Sequence, residues 1–327
     1  ATATNDHRLG GHEAPPAIIS VFLGDELTTI LENIALDKQS PISAASKLNL
    51  GLNVLPILNT DAGDRNRTSP FAFTGNKFEF RMPGSSSTPA TAAAAINSIV
   101  AKVLKEYADK LELSNNIDET IKDIITKTYK EHRRIIFNGN GYSKEWAIEA
   151  EKRGLTSEVS SNLALRSLIN PDIVSMLNDV GMLTEQESIA RYNAYAERYV
   201  THLIIESKTL IDIANKHILP AGLKYSNLLS ENISKNEKYG KEFVEEQEEM
   251  LKYILKNISS IRKKIKNIEK NIVEIRNEND LGKQTDLAQE KLVSGLNLLR
   301  TPCDELERII DYSIWPLPTY KALLFKL

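Results

Sequence analysis

The sequence predicts an α+β protein: a strand-bearing N-terminal part, then a mostly helical region that ends in an antiparallel helical hairpin. Three observations carry this expectation. Prolines, glycines and short β-type runs crowd residues 1 to about 90. From Thr88 the chain reads as helix nearly to its end. Close to the C-terminus, two long apolar stripes with 3.5-residue spacing flank a short break.

In chain order, the apolar run Ala17 to Gly24 holds Ser20 and ends at Asp25 and Glu26, which predicts a buried strand or helix start. It falls well short of the roughly 20 residues needed to cross a bilayer, so no membrane partner and no signal segment are expected. Asn53 to Leu58 and Phe71 to Phe73 are β-type runs. Lys77 to Met82 alternates charged and apolar residues, the period of a half-buried strand, and puts Lys77, Glu79 and Arg81 on one face. A solvated face of an antiparallel sheet explains such a row; a row of charges held toward a cavity is the other reading. Thr88-Pro-Ala-Thr-Ala opens a helix with proline in its first turn, and Thr184-Glu-Gln-Glu187 has the capping-box spacing. Roughly eight helices are expected, with Pro171, Gly181 and Pro220 as punctuation.

The C-terminal stripes are Leu251, Ile254, Ile258, Ile261, Ile265, Ile268, Ile272 and Ile275, then Leu292, Leu296, Leu299, Cys303, Leu306 and Ile310. Turn residues Arg276 to Gly282 separate them. So short a break favours two helices from about 236 to 310 burying their stripes against each other in one chain. Cys303 falls on the seam and reads as a core thiol. The basic cluster Arg262-Lys-Lys264 with Lys266 lies between seam positions, as a solvated flank does.

The composition sets outer bounds. With 327 residues, 41% hydrophobic and 26% charged, the chain has material for two domains. A net charge of −3 gives no electrostatic footprint for nucleic acid. One cysteine excludes an internal disulfide framework and fits the cytoplasm. His7 and His12 lie close together, but no second close pair accompanies them, and a zinc site is not expected.

Three stretches of the first 85 residues, in order, resemble the glutamine synthetase family. They are Arg8-Leu-Gly-Gly-His-Glu-Ala-Pro-Pro16, Arg65-Asn-Arg-Thr-Ser69 and Lys77-Phe-Glu-Phe-Arg81. Their wording, with Trp315-Pro-Leu-Pro-Thr-Tyr320 and the long helical extension, is similar to the type III branch, C-terminal half. The resemblance implies an ATP-dependent glutamate–ammonia ligase that forms glutamine through γ-glutamyl phosphate. It implies part of that family's curved antiparallel sheet over residues about 50 to 85. Residues 1–110 would be the C-terminal part of the catalytic domain, and 111–327 the helical region.

Carried over residue by residue, Glu13 is the flap glutamate that binds ammonium and takes its proton, work that a carboxylate can do. Arg81 grips the substrate with a planar fork, and Arg8 is the flap arginine on the glutamate side. Arg8 stands one residue closer to the flap glutamate than in the type I pattern. Glu79 corresponds to a ligand of Mg²⁺ or Mn²⁺, for which hard carboxylate oxygens are suited. Arg65 and Arg67 correspond to a pair that neutralises phosphate charge, and Lys77 takes the place of a nucleotide-contacting basic residue. Glutamate, ammonium and ATP are the implied substrates, and a homo-oligomer, a dodecamer of two hexameric rings, the implied assembly.

The chain starts without methionine, in mid-motif, and holds one glutamate of a site whose ions each need about six oxygens. An N-terminal half, on the same or another polypeptide, is therefore expected to be needed for activity. The alternative is a helical interaction module that retains relic catalytic motifs.

Overall fold

A computed structural model describes residues 18–37, 47–48, 58–59, 69–81, 88–158, 160–318 and 320–324. The chain divides into two compact units, residues 1–192 and 193–327.

In the first unit, strand β1 (Val21–Phe22) runs directly into helix α1 (Gly24–Ala35), so the apolar run is a strand followed by a helix start. β2 (Lys47–Leu48) and β3 (Leu58–Asn59) form an antiparallel pair. β4 (Phe71–Phe73) and β5 (Phe78–Phe80) complete a second sheet in the order β1-β4-β5. That sheet is mixed rather than antiparallel throughout: β4 and β5 are antiparallel, while β1 lies parallel to β4. The connections dictate this. A tight turn can return the chain only antiparallel, whereas the long crossover from β1, which contains α1, allows a parallel neighbour.

Five further helices follow the sheet: α2 (Ala90–Glu112), α3 (Ile117–His132), α4 (Lys144–Lys152), α5 (Ser161–Leu165) and α6 (Pro171–Asp179). Their starts are set by side chains that satisfy the orphan amides of a first turn. Asn116, Ser143 and Asn170 each accept from a backbone N–H of the helix they open. The segment between α3 and α4 fastens the sheet to the helices. Phe137 N–H donates to the Val21 carbonyl at 3.0 Å. Asn138 Oδ1 accepts from the amides of Leu23 and Gly24 at 3.2 and 3.1 Å, while its amide group donates to Thr28 and Asp25. Asn138 thus caps α1 from more than a hundred residues away. Next to it, the Phe137 and Trp146 rings stack at 3.8 Å over a small core with Ile18 and Ala150.

α7 (Glu185–Ile213) opens with the expected capping box. The Glu187 carboxylate accepts from Thr184 N–H at 2.8 Å, and Thr184 Oγ1 accepts from Glu187 N–H at 3.3 Å. The second unit contains the later turns of α7, a π-helical segment (Ala214–Ile218), α8 (Leu219–Asn236) and α9 (Glu245–Asn277). Pro220, expected as punctuation, follows directly on that π-helical segment, and the helix runs on through it into α8 without a break. α10 (Leu281–Leu287), a second π-helical segment (Ala288–Val293) and α11 (Ser294–Glu307) form one returning rod, which the short α12 (Tyr320–Leu324) follows in the chain. The break between α9 and α10 is shorter than the sequence predicts. Asp280 caps α10 by accepting from Lys283 N–H at 2.7 Å, so Leu281 and Gly282 are already helical.

α9 and the rod pack side by side in opposite directions. Tyr253 donates to Glu305, Ile268 faces Gly295, and Lys291 pairs with Glu274. Every stripe residue from Ile254 to Ile275 is buried, as are Leu292, Leu296, Leu299, Cys303, Leu306 and Ile310. α8 packs onto the same seam, where its Gly222 approaches both Ile258 of α9 and Leu306 of the rod. Glycines at the contacts permit close approach: a Cβ at Gly222 would come within 3.2 Å of Ile258, and one at Gly295 within 3.1 Å of Ile268. Among the described residues no helix is long and apolar enough to cross a membrane.

Candidate functional site

The β4–β5 hairpin holds the described candidate residues. Phe71, Ala72 and Phe73 pair with Phe80, Glu79 and Phe78. Thr74 N–H donates to the Lys77 carbonyl at 2.9 Å across the turn, and Gly75 takes φ +97°, which a side chain would resist. Beyond β5, Arg81 N–H donates to the Pro70 carbonyl at 2.8 Å, which extends the ladder by a residue. Because facing residues share a side, Glu79 stands on the side of buried Ala72. The four phenylalanines stand on the other. Phe71 stacks on Phe78 at 5.2 Å and meets Phe80 edge-on at 6.3 Å, so the hairpin's apolar side is a ring cluster of its own.

Lys77, Glu79 and Arg81 come together as alternation predicts. Arg81 Nε and Nη2 donate to Glu79 Oε2 at 3.3 and 3.1 Å, and Lys77 Nζ lies 3.2 Å from Oε1. The Arg81 guanidinium, with the Lys77 ammonium behind it, holds the Glu79 carboxyl below the usual carboxylate range. Glu79 keeps a side-chain exposure of 38% and Arg81 of 17%, so the carboxylate can be reached while the guanidinium is mostly seated. The cluster carries one net positive charge.

Glu79 has the donor chemistry of a Mg²⁺ or Mn²⁺ ligand, yet it is a single carboxylate. Among the described residues no group of three or more His, Cys, Asp or Glu side chains is placed to hold an ion. Arg8, Glu13, Arg65 and Arg67 lie outside the described residues, as do His7 and His12. Of the residues expected to act in chemistry, the structure therefore describes Lys77, Glu79 and Arg81 and brings those three together. Asn138, which ties β1 and α1 to the segment after α3, was not found from the sequence. Nothing local in Phe137-Asn-Gly-Asn-Gly links it to residues 23–28.

Residues 120–238 match the family described as the glutamine synthetase C-terminal domain. Along its length the chain is 38% identical to a glutamine synthetase of Bacteroides fragilis (strain YCH46), over 99% of the chain and 46% of that protein. It is 32% identical to the type-3 glutamine synthetase of Dictyostelium discoideum, over 99% of the chain and 45% of that protein. A glutamine synthetase of Butyrivibrio fibrisolvens is 31% identical, over 100% of the chain and 47% of that protein. The chain thus spans about half the length of the curated relatives it matches, and the resemblance to the C-terminal half of type III glutamine synthetases is borne out.

Proposed function

We propose, from the premise that this chain belongs to the glutamine synthetase family, that it supplies the C-terminal part of an ATP-dependent glutamate–ammonia ligase. The observation that carries the reading is similarity along 99% of the chain to proteins of that name. On this reading glutamate, ammonium and ATP are the substrates. ATP phosphorylates the glutamate side-chain carboxylate; ammonia then attacks the acyl phosphate, and phosphate leaves. Glu13 attracts ammonium and accepts the proton that frees its lone pair. Arg81 receives the anionic substrate group, and Arg8 helps to hold glutamate. Arg65, Arg67 and Lys77 neutralise charge along the phosphates. A bound divalent ion, Mg²⁺ or Mn²⁺, would supply positive charge to the phosphoryl transfer. Glu79 would give it one oxygen, and the rest of the synthetase the others.

Residues 1–110 are read as catalytic-domain sequence, with the described strands belonging to a larger curved sheet. Residues 111–327 are read as the helical region, with the α9–α11 pair as a coiled-coil hairpin. Assembly into a double-ringed homo-dodecamer and a cytoplasmic location belong to the same reading. The relatives' greater length supports the view that this chain needs the remaining portion of a synthetase for activity. The test is amide formation with MgATP, glutamate and ammonium. The chain alone is expected to form no glutamine, and the chain with the unmatched portion of the 38%-identical relative to form it. Glutamine from the chain alone would overturn the dependence; none from a stable complex of the two would overturn the ligase reading.

A further inference from the structure

Helices α2 and α3 are long, yet they are poorly covered. α2 has 23 residues and buries Ser98 alone; α3 has 16 and buries none, among the described residues. Two helices of such length normally owe their stability to an amphipathic face packed against a partner. That face is present in the sequence. Ile99, Val100, Val103 and Leu104 recur at one-, three- and four-residue steps on one side of α2, with Leu104 60% and Ile99 51% exposed. On α3, Ile117 is 58% and Ile121 41% exposed.

The existing supports of α2 leave this side open. Ser98 Oγ bonds to Met182 Sδ at 2.9 Å, and Lys102 pairs with Asp179 at 2.9 Å, which fixes α2 to α6 and its C-terminal turn through polar positions. Tyr107 and Thr128 hydroxyls bond at 2.9 Å, which joins α2 to α3. One turn beyond Leu104, at Tyr107, α2 borders a cavity of about 300 Å³. Its walls include Leu31 of α1, Tyr107 of α2 and Ile124, Ile125 and Thr128 of α3. A pit of that size, lined by aliphatic and aromatic side chains, holds one or two large apolar side chains; an engineered apolar cavity of about 150 Å³ already takes benzene.

We propose that this face, from Ile99 to the cavity, is the seat of an apolar segment from the remaining portion of the synthetase, which rests on the reading given above. Two facts select that occupant. More than half the length of each relative has no counterpart in this chain, which covers 46, 45 and 47% of them. The face also lies in the unit that carries the candidate hairpin, so a segment seated there joins the body that holds Glu79 and Arg81. The recognition is of the helix-in-groove kind, with large apolar anchors entering the cavity and the flanks excluding water.

The test uses the 327-residue chain and, as probe, the unmatched portion of the 38%-identical relative. Leu104→Asp puts a charge on the face at an exposed position, and circular dichroism checks that its helix content equals the parent's. Leu104→Ala is the milder variant, and Asp109→Lys on the other side of α2 the control. Binding by titration is expected to weaken tenfold or more for Leu104→Asp, less for Leu104→Ala, and not for Asp109→Lys. A second readout labels Leu104→Cys with a thiol reagent; the native Cys303 is buried, and the engineered thiol should react at least tenfold more slowly in the complex. Tight binding that Leu104→Asp leaves unchanged would overturn the assignment of the face. A dimer of the chain alone that Leu104→Asp dissolves would do so as well, by making a second copy the occupant. Failure of the parent chain to bind the probe at all would instead overturn the functional reading beneath the inference.

Discussion

Ile268→Ala tests the packing of α9 against the returning rod. Ile268 is fully buried, and a Cβ added at Gly295 would stand 3.1 Å from its Cγ1, so the side chain is fitted closely against the facing backbone. Truncation removes three carbons from a site whose opposite wall is helix backbone and can close in only slightly. Large-to-small changes of this kind cost about 2–5 kcal/mol, and alanine returns a few tenths through helix propensity, so about 3 kcal/mol is expected. In a domain of this size each kcal/mol lowers Tm by roughly 2–4 °C, so thermal melting followed at 222 nm should shift by about 6–12 °C. Val273→Ala, one turn away on the same helix but 57% exposed, should stay within about 0.5 kcal/mol of the parent. The pair is also coupled. Gly295→Ala alone overpacks the contact, whereas in the Ile268→Ala background its methyl enters the vacated space, and the double variant should melt above Ile268→Ala. Equal melting of Ile268→Ala and the parent, or strict additivity of the two changes, would refute the described packing.

Two other outcomes follow from single contacts. Asn138→Ala strips the amides of Leu23 and Gly24 of their acceptor and should cost about 1–2 kcal/mol, read by chemical denaturation, with faster amide exchange in the first turn of α1. Burial pushes the Cys303 thiol up to about 12, so the folded chain keeps its proton where the unfolded chain, near the ordinary thiol value, has lost it. Stability contributed by that proton is present below the unfolded value and is lost as pH rises toward 12; Cys303→Ala should melt with a flatter pH dependence than the parent between about pH 9 and 11.

The helical part was the more legible in sequence because its signals are local and repeated. The isoleucine stripe of α9, the Thr184 capping box and the early proline of α8 each depend on residues within a turn or two. The sheet was less so. Alternation from Lys77 to Arg81 announced β5 and the shared side of its charges, but strand direction depends on how distant segments meet. The parallel pairing of β1 with β4 follows from a long crossover, which no residue pattern in either strand records. Asn138 was opaque for the same reason, since its partners lie at residues 23–28. In the candidate site, alternation predicted that Lys77, Glu79 and Arg81 share a side. It could not tell that both Glu79 oxygens would be taken by those neighbours. The roles of Arg8, Glu13, Arg65 and Arg67 come from family resemblance alone, because a loop acid or arginine has no periodicity that marks it.

The measurement that bears most directly on the ligase reading is the ratio of phosphate released to glutamine formed by a reconstituted synthetase carrying Glu13→Ala, at saturating ammonium. Phosphorylation of glutamate needs no ammonium base and should survive. Amide formation should fall by about 10²–10⁴-fold, the usual span for loss of a general base, so phosphate release should run well ahead of glutamine. If the two fall in strict proportion, Glu13 serves the loop or substrate binding and not the proton. If neither falls, the assignment of Arg8 to Pro16 as the ammonium-handling flap is contradicted.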